Sequence, residues 1–197
     1  MSRSVPDWLA GAFDTPRAGH GALVVARLGD ARMLGRGGFA LSSAAFMDGG
    51  MLDPCFTADE EDAVAPPIEW TAPPPGAQEV VLIVEDPATA EPMCHWLVWG
   101  LPGQKGQILE GEVPPRVGKN AHGNSEWLLP APPHGDARHD YVFQLFALDL
   151  PLTTMPGATR EELVAQLEGH VMACAVLTGT YVRQEADDDW DDEDDID

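Results

Sequence analysis

Three residues stand where apolar runs begin or end, and their types could do chemistry together. The stretch VVLIVEDPATAEPMCHWLVWGLP (residues 80–102) closes one apolar run on Asp86 and opens the next on His95. His139 stands just before a third run, YVFQLFAL (residues 141–148), with Tyr141 at its head. A core excludes acids and imidazoles unless they are paired. These residues therefore read in two ways: as a turn-forming Asp-Pro with unconnected surface histidines, or as the rim of a site where three strand ends converge. In a site, two imidazoles supply N–H donors and gain charge when an anion arrives. A tyrosine hydroxyl adds a donor, while an ionised Asp86 only accepts. Such an acid would orient an imidazole or accept from an ammonium group. Two imidazoles and a carboxylate could also hold zinc, but no ligand spacing marks a metal motif.

Other polar residues add little chemistry. Ser125, in Gly-Asn-Ser-Glu, is not in a nucleophile elbow. Cys94 adjoins His95, but neighbours on a strand point to opposite faces. His122 and His134 fall in loops, and His170 suits a helix end or a core bond. With neither a nucleophile–base pair nor paired acids in view, binding is expected rather than catalysis, with no cofactor.

The elements that must position these residues are short. The chain has 197 residues, 44% of them apolar, with 20 glycines and 18 prolines. That density of turn residues favours a loop-rich β protein over long helices. Strands are expected at residues 39–47, 80–85, 95–101, 141–148 and 171–183, the last broken at Gly179. One helix is marked by Thr159-Arg160-Glu161-Glu162, a capping box, followed by Leu163, Val164 and Leu167 and stopped at Gly169. Residues 1–38 read as a lead-in with a short helix capped by Asp7 and a flexible link at 32–38. Residues 39–184 form the main domain. The irregular segment 114–133 is long enough to be functional.

Charge bounds the partners. The net charge of −22 disfavours nucleic acid and anionic membranes. Residues 185–197 (EADDDWDDEDDID) hold ten of the 33 acids and no base. They are expected to be a disordered acidic tail that solubilises the chain or docks a basic protein partner. Three cysteines without close spacing make neither a disulfide framework nor a zinc knuckle. No secretory signal and no run of ~20 apolar residues is read. A cytoplasmic protein with reduced thiols is expected, and a homodimer through residues 1–38 stays open.

Taken together, the segments resemble the phosphatidylethanolamine-binding protein family, in its bacterial Raf kinase inhibitor protein-like branch. Phe46-Met47-Asp48-Gly49-Gly50 is similar to the family's F-x-D-G turn, and Ala65-Pro66-Pro67-Ile68-Glu69-Trp70 to its S-P-P-L-x-W segment. LIVEDP resembles the strand leading to D-P-D-A-P, and His95-Trp96-Leu97-Val98-Trp99 resembles H-W-V-V-x. Pro132-Pro133-His134-Gly135 with His139-Asp140-Tyr141-Val142-Phe143 resembles P-P-x-G then H-R-Y-x-F. Gly169-His170-Val171-Met172-Ala173 and Gly179-Thr180-Tyr181 resemble the closing G-H-V-L-A and G-T-Y.

The resemblance implies a mainly β, antiparallel Greek-key β-sandwich with a few short helices and a small anion pocket at one end. It places Asp86, His95, His139 and Tyr141 in that pocket, with backbone contacts from the loop carrying Leu129, Ala131 and Pro132. The ligand it implies is a phosphate-bearing or zwitterionic head group such as phosphoethanolamine. The alternatives are a kinase or protease modulator acting through its surface and acidic tail, or a His-based hydrolase or metal enzyme. Two departures bear on the pocket. Ala88 replaces the family's second acid, and Asp140 replaces the arginine after the pocket histidine, removing a cation.

Overall fold

Every side chain of residues 79–86 is buried, so this strand must be covered on both faces. The computed structural model, which describes residues 3–183, shows how. The segment 185–197 lies outside the described residues. In chain order the strands are β1 (Leu41–Ser42), β2 (Ile68–Trp70), β3 (Glu79–Asp86), β4 (Met93–Pro102), β5 (Gly106–Ile108), β6 (Arg116–Val117), β7 (His139–Leu148) and β8 (Val171–Tyr181). They make a five-stranded sheet of order β6-β4-β3-β7-β8 and a three-stranded sheet of order β1-β2-β5, with antiparallel pairing between strands.

Alternation along the central strands sorts their side chains into two cores. Val80, Leu82, Val84, Tyr141, Phe143 and Leu145 meet Leu41, Ile68, Trp70 and Ile108 of the small sheet. The two sheets close on this inner core as a mainly β sandwich. Val81, Ile83, Val142 and Phe146 point the other way, into an outer core covered by helices. The helices are α1 (Asp7–Ala10), α2 (Val24–Leu28) and α3 (Arg160–Leu167).

Residues 3–38 are structural partners of the sheet. Leu9, Phe13, Leu23, Val24 and Val25 are buried in the outer core. A β-carbon on Gly19 would lie 2.1 Å from the Thr89 carbonyl oxygen, so backbone packs directly on the β3–β4 loop. The link expected at 32–38 is tied down. The Gly35 N–H donates to the Cys174 carbonyl at 2.9 Å.

Three local expectations change. The strand expected over 39–47 is only Leu41–Ser42. Ser43 Oγ donates to the Pro67 carbonyl and accepts the Ala45 N–H, so local side-chain bonds replace the ladder. Pro6, not Asp7, holds the N-cap of α1, and Asp7 lies in its first turn. β8 runs unbroken through Gly179, where a β-carbon would meet Leu52 at 2.7 Å. That glycine serves close packing, not a break.

The capping box of α3 is present, with Thr159 Oγ1 accepting the Glu162 N–H and Glu162 accepting the Thr159 N–H. Thr159→Ala should cost about 1 kcal/mol. A denaturation midpoint unchanged from wild type would show that the cap is dispensable.

Candidate functional site

The antiparallel order brings the end of β3, the start of β4, the start of β7 and the end of β8 to one edge of the sandwich. Asp86, His95, His139 and Tyr141 meet there. Each is almost completely buried, Asp86 at 6% exposure and His139 at 9%.

A bulge positions His95. Val84 pairs with Trp96, yet Glu85 pairs with Cys94, so β4 carries one extra residue between them. A bulge of this kind re-aims a side chain and interrupts alternation. His95 thereby shares the inner side with Trp96, while Cys94 packs in the outer core. Its ring stands edge-on to Tyr141 at 5.0 Å and tilted against Trp127 at 6.0 Å. Trp127 is fixed in turn by Phe143, Trp96 and an N–H bond to the Phe56 carbonyl.

The tautomer of His95 follows from its partner. Nδ1 lies 2.6 Å from the Leu128 carbonyl oxygen, which only accepts, so Nδ1 carries the proton. The Leu128 N–H donates back to the His95 carbonyl. Nε2 is buried and has no hydrogen-bond partner among the described residues. Burial lowers the pKa of His95, against the opposing pull of the Leu128 carbonyl and the nearby Asp86 charge. The resting ring is neutral at pH 7, with a bare nitrogen at Nε2.

His139 is engaged on both sides. Its Nδ1 lies 2.7 Å from Asp86 Oδ2 and its Nε2 lies 3.3 Å from Asp136 Oδ2. Asp86 Oδ1 also accepts the Ala88 N–H, closing the turn where the second acid is missing. Asp86 thus orients an imidazole. Burial, with the Asp86 charge behind it, raises the pKa of Tyr141 and keeps it a neutral phenol.

Not every residue expected at the pocket faces it. The backbone contact comes from Leu128, one residue before the expected loop. Leu129 and Ala131 instead line an apolar cleft of about 700 Å³ beside Trp96 and Trp127. Pro132, in the same loop, is buried. Asp140 points to the opposite side of the sheet from His139, where Asp140 Oδ2 lies 3.3 Å from His20 Nε2. Its charge is turned away from the site. The His170 side chain pairs with Asp149, while its backbone N–H donates to the Leu167 carbonyl at the end of α3. Among the described residues, no three His, Cys, Asp or Glu side chains assemble as a metal ligand set.

Two contributors were missed in the sequence. Asp136 sits three residues before His139 with no motif around it. Glu85 was visible as a charge inside an apolar run. It is fully buried and accepts from the Val24 N–H, Gln144 Nε2 and Arg160 Nε, bracing the outer side of the strand that carries Asp86.

The family model for phosphatidylethanolamine-binding protein matches residues 42–182, most of the chain and the whole site. The chain belongs to the phosphatidylethanolamine-binding protein family. Among family relatives, a UPF0098 protein of Methanothermobacter thermautotrophicus is 34% identical over 154 residues, covering 73% of this chain and 98% of its own. A Mycobacterium tuberculosis relative named as a candidate lipoprotein, LppC, is 32% identical, covering 72% of this chain and 71% of its own. A solved phosphatidylethanolamine-binding protein homologue from Chlamydia trachomatis superposes with a TM-score of 0.69 at 32% identity, over 74% of this chain and 97% of that one. Escherichia coli YbcL shares the fold at a TM-score of 0.66 and 21% identity. Among the described residues of this family member, no helix is long and apolar enough to cross a membrane.

Proposed function

We propose that this member of the phosphatidylethanolamine-binding protein family acts by binding, not catalysis. Its site at Asp86, His95, His139 and Tyr141 would take a small phosphate-bearing or zwitterionic head group such as phosphoethanolamine. One observation carries the reading: the buried, unpartnered Nε2 of His95, held in place by Leu128 and Trp127. A buried polar atom without a partner is costly. A phosphate that brings a proton to this nitrogen turns the cost into a charge-assisted bond. Asp86 and Asp136 offer acceptors for an ammonium group on the same ligand, so a zwitterion fits better than a bare anion.

The test follows the histidine ring protons of the full chain by NMR during titration with inorganic phosphate, then with phosphoethanolamine. His95→Ala and His139→Ala variants assign the signals. The two rings should shift together and saturate, with the zwitterion binding more tightly. Rings that stay still at millimolar ligand would remove the anion reading and leave the modulator reading, acting through the surface, in its place.

A further inference from the structure

Eleven basic side chains serve a chain of net charge −22, and four of them gather on one groove. A cleft of about 560 Å³ lies between residues 3–27 and the β3–β4 loop, lined by Arg3, Arg27 and Arg160. A second cleft of about 360 Å³ shares Pro92, Arg160 and Glu161 with the first and adds Lys119. The two clefts adjoin at Arg160, and together they form a groove with cations on either side of it. Glu91 and Glu161 also line it, and with Glu85 behind Arg160 the excess of positive charge rests on the unpaired Arg3, Arg27 and Lys119.

Three of the four cations are available, and the fourth, Arg160, is paired with Glu85 and Glu161. Arg160 is held through Nε by the buried Glu85, which fixes its guanidinium at the centre of the groove. Arg3, Arg27 and Lys119 are exposed, and among the described residues none of the three has an ion-pair partner. Unpaired guanidinium groups beside an anchored one favour an extended anion over a single small one.

We propose that this groove receives the chain's own acidic segment, residues 185–197. Charge complementarity selects it: ten acids and no base meet four cations. Reach permits it. The chain leaves β8 after Tyr181, which pairs with His139 at the same edge of the sandwich as the β3–β4 loop. From β8 to β4 is three strand spacings, ~14 Å. Residues 184–197 span up to ~45 Å when extended. Held there, the segment covers the cations of this groove, and a basic protein partner would have to compete the tail away from it. The inference is independent of any ligand at His95.

The test is NMR of the full chain. Amide shifts of residues 185–197 and of Arg27, Glu91 and Lys119 are recorded at about 20 mM and about 500 mM salt, where screening lengths fall from ~20 Å to ~4 Å. At low salt both sets should be displaced, and both should return together at high salt. The triple variant Arg3→Gln, Arg27→Gln, Lys119→Gln, all at exposed positions, should show the high-salt positions at both concentrations. Tail amides at random-coil positions in low salt would overturn the proposal, and the salt series on wild type decides this without any variant. Shifts that grow with protein concentration would place the segment on a second copy and overturn docking within one chain.

Discussion

Glu85→Ala should destabilise the protein by about 3–5 kcal/mol, the range for removing one partner of a buried ion pair. Glu85 has no solvent contact and sits where three parts of the chain meet. The Val24 N–H donates to it from α2, Gln144 from β7 and the Arg160 guanidinium from α3. Alanine would leave two buried donors without acceptors and a largely buried cation without its counter-charge. Gln144 also accepts the Val25 N–H, so the loss spreads along the contact with residues 3–38. Urea denaturation of wild type and variant measures this directly. A loss under about 1 kcal/mol would mean that water replaces the carboxylate, and that the network does not hold the outer layer to the sheet.

Affinity for a phosphodiester head group should rise as pH falls, by up to about tenfold per pH unit. His95 in the empty site has a pKa below its ordinary 6.5, because burial disfavours the charged ring. A bound anion favours that charge, so binding takes up a proton. Affinity therefore climbs as pH falls through the bound-state pKa and levels off below the free-state one. Glycerophosphoethanolamine suits the measurement, because a phosphodiester keeps its charge where a phosphomonoester titrates near pH 6. Calorimetry between about pH 5 and pH 8 gives the slope, and His95→Ala should flatten it. A slope retained in that variant would assign the proton to another group and sink the argument. The same depressed pKa acts on folding with a defined sign. The unfolded ring binds a proton more readily, so this contribution to stability is complete above pH 6.5. It is lost as pH falls below that value and through the folded-state pKa.

The strands that carry the site were legible because their signals are local. β-branched and aromatic runs bounded by Pro and Gly located β3, β4 and β7 to within two residues at each end. Thr159 and Glu162 announced α3 in the same way. The meeting of Asp86 with His139 was not local. It joins residues 53 apart, and the family pattern, not periodicity, pointed to it. His95 and Leu128 are 33 apart, and their bond depends on a bulge that no residue type advertises. Residues 3–38 showed apolar pieces without a period long enough to reveal their partner. Their role emerges only against the outer face of β3 and β7. The direction of Asp140 illustrates the limit. Its position in the motif was clear, but its face was set by strand alternation and by a histidine 120 residues away.

The extra residue in β4 also bears on how such a protein diversifies. The pairs that flank His95, Val84 with Trp96 and Glu85 with Cys94, form without it. Loss of a single codon there would rejoin Cys94 to Trp96 and leave regular pairing across that point, but with no imidazole against Tyr141. Scaffold and ligand chemistry are in this sense written in separable units. A lineage could silence or re-tune its recognition by one insertion or deletion, at little cost to the architecture it inherits.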